Sequence, residues 1–112
     1  ANANNAEAQI DLIGVEDKSA VAKQAAANGA HIIGVHTGLD AQAAGQTPFE
    51  DLKTIAGLGL NVKVSVAGGI NKDTIQSTVR AGADIVVVGA AIYGAPSPAE
   101  SAKELRALVD AA

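Results

Sequence analysis

The residues able to do chemistry in this 112-residue chain are two histidines, a set of carboxylates and two glycine turns; cysteine is absent. Two glycine segments come first. Val64-Ser-Val-Ala-Gly-Gly-Ile70 is a β-rich run entering a double-glycine turn, and Val86-Val-Val-Gly-Ala-Ala-Ile92 repeats the arrangement further on. Glycines let backbone N–H groups approach a phosphate closely, and a helix starting just beyond, near Asn71, adds a favourable dipole. The plain alternative is a pair of tight turns needed only for packing. His36 ends another β-rich run, just before Thr37-Gly38, where an imidazole can act as acid, base or hydrogen-bond donor. His31 begins that run and reads as inert. Asp11 lies inside a run, and a carboxylate buried there must be paired with a lysine, a metal or a substrate-held proton. Its plain alternative is a solvated residue on a frayed edge strand. Glu16 and Asp17 suit a helix N-terminus. No cluster has metal-ligand spacing, so no metal is expected on this chain alone.

These groups need a scaffold, and the pattern supplies one. Four β-rich runs, residues 9–13, 31–36, 62–66 and 84–88, alternate with alanine-rich stretches of helix length at 18–27, 48–56, 72–81 and 98–110. Such alternation predicts parallel βαβ units with right-handed crossovers. Gly29, Gly59 and Gly82 each precede a run, where a helix C-terminus favours a left-handed residue. Asn71, Thr47-Pro48 and Ser97-Pro98 offer helix N-caps. Asn28-Gly-Ala-His-Ile-Ile-Gly-Val-His36 also echoes Ala81-Gly-Ala-Asp-Ile-Val-Val-Val-Gly89, as repetition of one βα unit predicts.

Strand parity separates two α/β architectures. A doubly wound sheet carries helices on both faces, so its strands are apolar throughout; a barrel carries them outside only. In the third run Val62, Val64 and Val66 oppose Lys63, Ser65 and Ala67. In the first, Ile10 and Leu12 oppose Gln9, Asp11 and Ile13; in the second, Ile33 and Val35 oppose Ile32, Gly34 and His36. One apolar and one mixed face predict a barrel wall, with the two glycine turns in the usual phosphate-binding position after the last two strands. Four βα units form half of an eight-stranded ring. The outer strands would be open edges, so a partner is expected: a complementary half, another copy, or a larger assembly.

Composition narrows the classes. A net charge of −4, no basic patch and only two aromatics, Phe49 and Tyr93, argue against nucleic-acid and anionic-membrane partners. The apolar runs have strand length, far short of the roughly 20 residues a membrane helix needs. The lack of cysteine fits a reducing cytoplasm, and no segment reads as a signal peptide. The opening Ala-Asn-Ala-Asn-Asn leads us to expect the natural start upstream.

Four segments carry a resemblance: Ile10-Asp-Leu-Ile-Gly-Val-Glu-Asp17, Val35-His-Thr-Gly-Leu-Asp-Ala-Gln-Ala-Ala-Gly45, Ser65-Val-Ala-Gly-Gly69 and Val88-Gly-Ala-Ala-Ile-Tyr-Gly94. Together they resemble the 3-hexulose-6-phosphate synthases, in their methylotroph form, of the orotidine-monophosphate-decarboxylase-like superfamily of TIM barrels. The related 3-keto-gulonate-6-phosphate decarboxylases share the segment at 40–45. They differ by Glu, Arg, Thr and Arg where this chain has Asp11, Leu39, Ala67 and Ala90. The resemblance implies an α/β (βα)8 barrel of which residues 1–112 form the C-terminal half, strands five to eight, with residues 1–8 the tail of a preceding helix.

It further implies a cytoplasmic homodimeric lyase of the ribulose monophosphate pathway, fixing formaldehyde by Mg2+-dependent aldol condensation with ribulose 5-phosphate. His36 would handle protons, Asp11 would help hold the catalytic lysine, and Ala67, Gly68, Gly69, Gly89 and Ala90 would hold the phosphate. The family's metal ligands and lysine belong to strands one to three, which this sequence lacks. The isolated chain is therefore expected to show no turnover. Two other readings stand beside this one: a non-catalytic phosphosugar-binding or assembly module that self-pairs, and one part of a split enzyme.

Overall fold

Each β-rich run becomes a strand of one parallel sheet. The computed structural model describes residues 6–36 and 48–112. Its strands β1 (Gln9–Asp11), β2 (Ile32–His36), β3 (Lys63–Ala67) and β4 (Ile85–Val87) pair in chain order, all parallel. The helices are α1 (Lys18–Ala27), α2 (Phe49–Ala56), α3 (Ile75–Arg80), the single turn α4 (Ala90–Tyr93) and α5 (Pro98–Asp110). Among the described residues, no helix is long and apolar enough to cross a membrane.

Local chemistry sets the helix bounds. Asp17 caps α1, its Oδ1 accepting from the Ala20 N–H at 3.1 Å, and Ser97 caps α5 by accepting from the Glu100 N–H at 3.4 Å. Thr47, the third expected cap, lies outside the described residues. α3 begins three residues later than expected. Asn71 Oδ1 accepts from the Asp73 N–H at 2.9 Å, and the Asn71 N–H donates to Thr74 Oγ1 at 3.1 Å. Side chain-to-backbone bonds of this kind hold a turn against the helix.

The predicted parity is realised. Ile33 pairs with Val64 and Val35 with Val66, while Gly34 pairs with Ser65 and His36 with Ala67. Leu12, Ile33, Val35, Val64 and Val66 are buried with Ala22, Leu52, Ile55, Ile75 and Leu105 of the helices in one core. Burial of each large aliphatic side chain there stabilises the fold by roughly 1.5–3 kcal/mol. The opposite face carries Gln9, Asp11, Ile32, Gly34, His36, Lys63, Ser65, Ala67, Ile85 and Val87.

Two contacts fix the end of the chain that matters most. Asp84 grips Val64 twice: its N–H donates to the Val64 carbonyl and its Oδ2 accepts from the Val64 N–H, both at 2.8 Å. This clamps β3 against β4 three residues before their C-terminal ends. Just upstream, Gly82 has φ 118°, and a Cβ there would stand 2.7 Å from the Ala56 Cβ. Only glycine fits both the backbone and the space.

At the N-terminal side, residues 6–8 are not helical; residues 1–5, the rest of the expected helix tail, lie outside the described residues. The Ala8 carbonyl accepts from the N–H groups of His31 and Ile32, and its own N–H donates to His31 Nδ1 at 2.9 Å. His31 thus has a structural part, tying the start of β1 to β2. β1 and β4 are the outer strands of the described sheet. An apolar groove of about 490 Å³ flanks β4, lined by Ile75, Val86, Val88, Leu105 and Val109 among others. Ile10, Ile13 and Val87 are exposed at 38%, 46% and 48%. That is the surface an incomplete ring leaves uncovered.

Candidate functional site

The glycine segments meet because of the register. Ala67 pairs with Val87, so Gly68-Gly69 and Gly89-Ala90 leave the sheet side by side at the C-terminal ends of neighbouring strands. Gly68 has φ 107° and Gly69 φ 70°, conformations that side-chain-bearing residues adopt only with strain. Among the described residues, no turn or loop backbone bond engages the N–H groups of Gly68, Gly69, Gly89 or Ala90. Free amides converging in a glycine turn form an anion-binding concavity. Gly89 caps α4 without any side-chain bond, and the Ser101 hydroxyl donates to the Ala91 carbonyl at 2.6 Å, docking that turn on α5. The helix dipole expected at Asn71 is displaced, since α3 starts only at Ile75.

His36 and Asp11 also come together. Asp11 pairs with Gly34, so His36 stands two residues further along the same face of the next strand. That diagonal spans roughly 8 Å between Cα atoms, from a rise of about 3.3 Å per residue and a strand spacing of about 4.8 Å. The side chains close it: His36 Nδ1 lies 3.3 Å from Asp11 Oδ2, and Asp11 Oδ1 accepts from the Ile13 N–H at 2.9 Å. Both are partly open to solvent, with side-chain exposures of 35% and 45%. Asp11 is therefore not the buried carboxylate its place in a strand suggests, because β1 is an outer strand. Its side-chain partner is the histidine. Lys63 shares the face but sits two residues lower on β3, and no lysine is paired with Asp11 among the described residues.

The two halves of the site are contiguous. His36 is the register partner of Ala67, the residue immediately before the double glycine. An imidazole with Nδ1 held by a carboxylate leaves Nε2 for proton transfer beside the glycine turn. Among the described residues, no group of three or more carboxylates and imidazoles gathers to hold a metal. Thr37, Gly38, Leu39 and the segment at 40–45 lie outside the described residues.

Two features escape sequence reasoning. The Asp11–His36 contact joins residues 25 apart and depends on the strand register; parity does put both on one face, which is the only signal available. α4 is a four-residue turn between Gly89 and Gly94, too short for a helical period to show in the sequence.

Comparison with known proteins agrees with the fold. A profile of the Orotidine 5'-phosphate decarboxylase / HUMPS family matches residues 1–105. The chain belongs to that family. Within it, the chain is 59% identical over 108 residues to a 3-hexulose-6-phosphate synthase of Methylomonas aminofaciens, covering 96% of this chain and 52% of the relative. It is 44% identical over 110 residues to the enzyme of that name from Staphylococcus aureus strain USA300, covering 98% and 52%. The crystal structure of 3-hexulose-6-phosphate synthase from Salmonella typhimurium superposes with a TM-score of 0.93 at 34% identity, covering 99% of this chain and 53% of that one. This OMP decarboxylase/HUMPS-family chain thus has the α/β fold of a TIM-barrel family, in four βα units, and spans about half the length of these relatives.

Proposed function

We propose that this chain supplies the phosphate-gripping and proton-handling part of a 3-hexulose-6-phosphate synthase site, which condenses formaldehyde with D-ribulose 5-phosphate. One observation carries the reading: the unpaired amides at Gly68, Gly69, Gly89 and Ala90 open beside the Asp11–His36 pair on one face of the sheet. The names of the relatives at 59% and 44% identity support the choice of reaction.

In this reading the amides, with Ala67 at the edge of the turn, hold the phosphate and orient the carbon chain toward β1 and β2. His36 Nε2 faces the reacting carbons. A proton leaves C1 of the ribulose, and the resulting enediolate carbon bonds to the formaldehyde carbon. The former formaldehyde oxygen then takes up a proton. Asp11 holds Nδ1 and balances the imidazolium that forms when Nε2 carries the proton. The Mg2+ that the resemblance implies does not fit the donors described here. Asp11 and His36 are two groups, against the octahedral set Mg2+ requires, so no step is taken through a metal on this chain. The ring-completing partner is a complementary half-barrel, or another copy of the chain, bringing the remaining groups. The protein works in the cytoplasm as an oligomer, with residues 1–112 as one half-barrel unit.

The lack of a metal-holding cluster among the described residues also favours a second reading, a self-pairing module that binds phosphosugar without turnover. Formaldehyde consumption with ribulose 5-phosphate and Mg2+ tests both. No turnover is expected from this chain alone, and turnover is expected once a family N-terminal half is co-folded with it. Continued inactivity of a well-folded 1:1 complex would sink the catalytic reading and leave the binding one.

A further inference from the structure

Ser65 is a polar side chain that the packing does not use. It sits at the middle of β3 on the face turned away from the helices, and is 1% exposed. The other buried hydroxyl, Thr78, donates to the Thr74 carbonyl at 2.8 Å. No hydrogen bond among the described residues engages the Ser65 hydroxyl, whose oxygen keeps the residue's small remaining contact with solvent.

Its surroundings give that hydroxyl a direction. Asp11, Gly34 and Ser65 form one row across β1, β2 and β3. Gly34 presents no side chain, and the Gln9 amide lies over its place, Nε2 standing 2.8 Å from where a Cβ would be. The row is about 9.6 Å long, two strand spacings, with a carboxylate at one end and a neutral hydroxyl at the other. Ala67, two residues above Ser65, is the small side chain between that hydroxyl and the glycine turn. From Ser65 to Gly68 is three residues, roughly 10 Å along the strand, a length suited to an extended sugar phosphate.

We propose that Ser65 is a substrate-binding residue, its hydroxyl exchanging hydrogen bonds with a chain hydroxyl of an acyclic phosphosugar whose phosphate rests on the Gly68, Gly69, Gly89 and Ala90 amides. This rests on the phosphate-site reading above. A serine hydroxyl both donates and accepts, which matches a sugar hydroxyl. Being neutral, it leaves the charge of the Asp11–His36 pair undisturbed. Ser65 thereby selects polyhydroxylated phosphate esters over bare ones.

The test is calorimetric titration of the unsubstituted chain and of Ser65→Ala with inorganic phosphate, D-ribulose 5-phosphate and n-pentyl phosphate. Ser65→Ala is expected to bind ribulose 5-phosphate roughly tenfold more weakly, the worth of one neutral hydrogen bond. Its affinity for inorganic phosphate and pentyl phosphate should stay the same. Its melting temperature should be equal or higher, since no internal bond is lost. Equal ribulose 5-phosphate affinity in the two chains overturns the proposal. So does a drop in melting temperature with a parallel loss for all three ligands, which marks Ser65 as structural. Failure of the unsubstituted chain to bind inorganic phosphate refutes the glycine site itself, and is read separately from the Ser65 comparison.

Discussion

Replacing Gly69 by valine is the sharpest single test of the phosphate site, because the structure separates its effect on folding from its effect on binding. Gly69 has φ 70°. A residue with a Cβ costs about 1–2 kcal/mol in that left-handed region, and a β-branched one up to about 3 kcal/mol. A domain with the usual ~5–15 kcal/mol of stability survives that loss. Relaxation of the strained turn, however, redirects the Gly69 N–H and its neighbours. One lost amide bond to a charged phosphate is worth about 1.5–3 kcal/mol, or roughly 10- to 100-fold in affinity. Gly69→Val should therefore keep its far-ultraviolet circular dichroism, unfold at lower urea, and lose phosphate and ribulose 5-phosphate binding by calorimetry. Gly69→Ala should fall between. A folded Gly69→Val variant with the original affinity would show that these amides do not hold the anion.

Three further outcomes follow from named contacts. Asp11→Asn should change stability by no more than about 1 kcal/mol, since the pair is half exposed, yet 15N NMR of the His36 ring should show a lower share of Nδ1-protonated form; an unaltered ring spectrum would break the link between the two residues. Gly82→Ala should destabilise by roughly 1–3 kcal/mol through its positive φ and the 2.7 Å approach to Ala56, measured by urea unfolding; a neutral result would show that the α2 end gives way freely. Leu52→Ala, at a fully buried position, should cost about 2–5 kcal/mol, checked by the same titration.

How much of this was legible in the sequence depended on how local its cause is. The bounds of α1 and α5 follow from Asp17, Ser97 and Pro98, and strand parity follows from alternation within five residues, as in Lys63-Val-Ser-Val-Ala67. Both kinds of signal lie within a few residues of what they determine. α3 starts later than its pattern predicts because Asn71 and Thr74 bond to the local backbone, a competition that composition does not weigh. The pairing of Asp11 with His36 was beyond reach, since it is set by how β1 slides against β2. The identity of the glycine turns as neighbours was within reach, because consecutive βα units place consecutive strands together. Their unequal followers, a bonded turn after Gly69 and the one-turn α4 after Gly89, were not.

The Asp84 clamp on Val64 has an evolutionary side. Asp84 lies between the two glycine turns in the polypeptide and Val64 just before the first, so residues 64–90 carry both turns together with the fastener that aligns them. Such a stretch is heritable as a unit: recombination at Leu60 and after Tyr93 would move both turns, already aligned, into another βα array. Side chains from elsewhere could then be exchanged around them without rebuilding the pair.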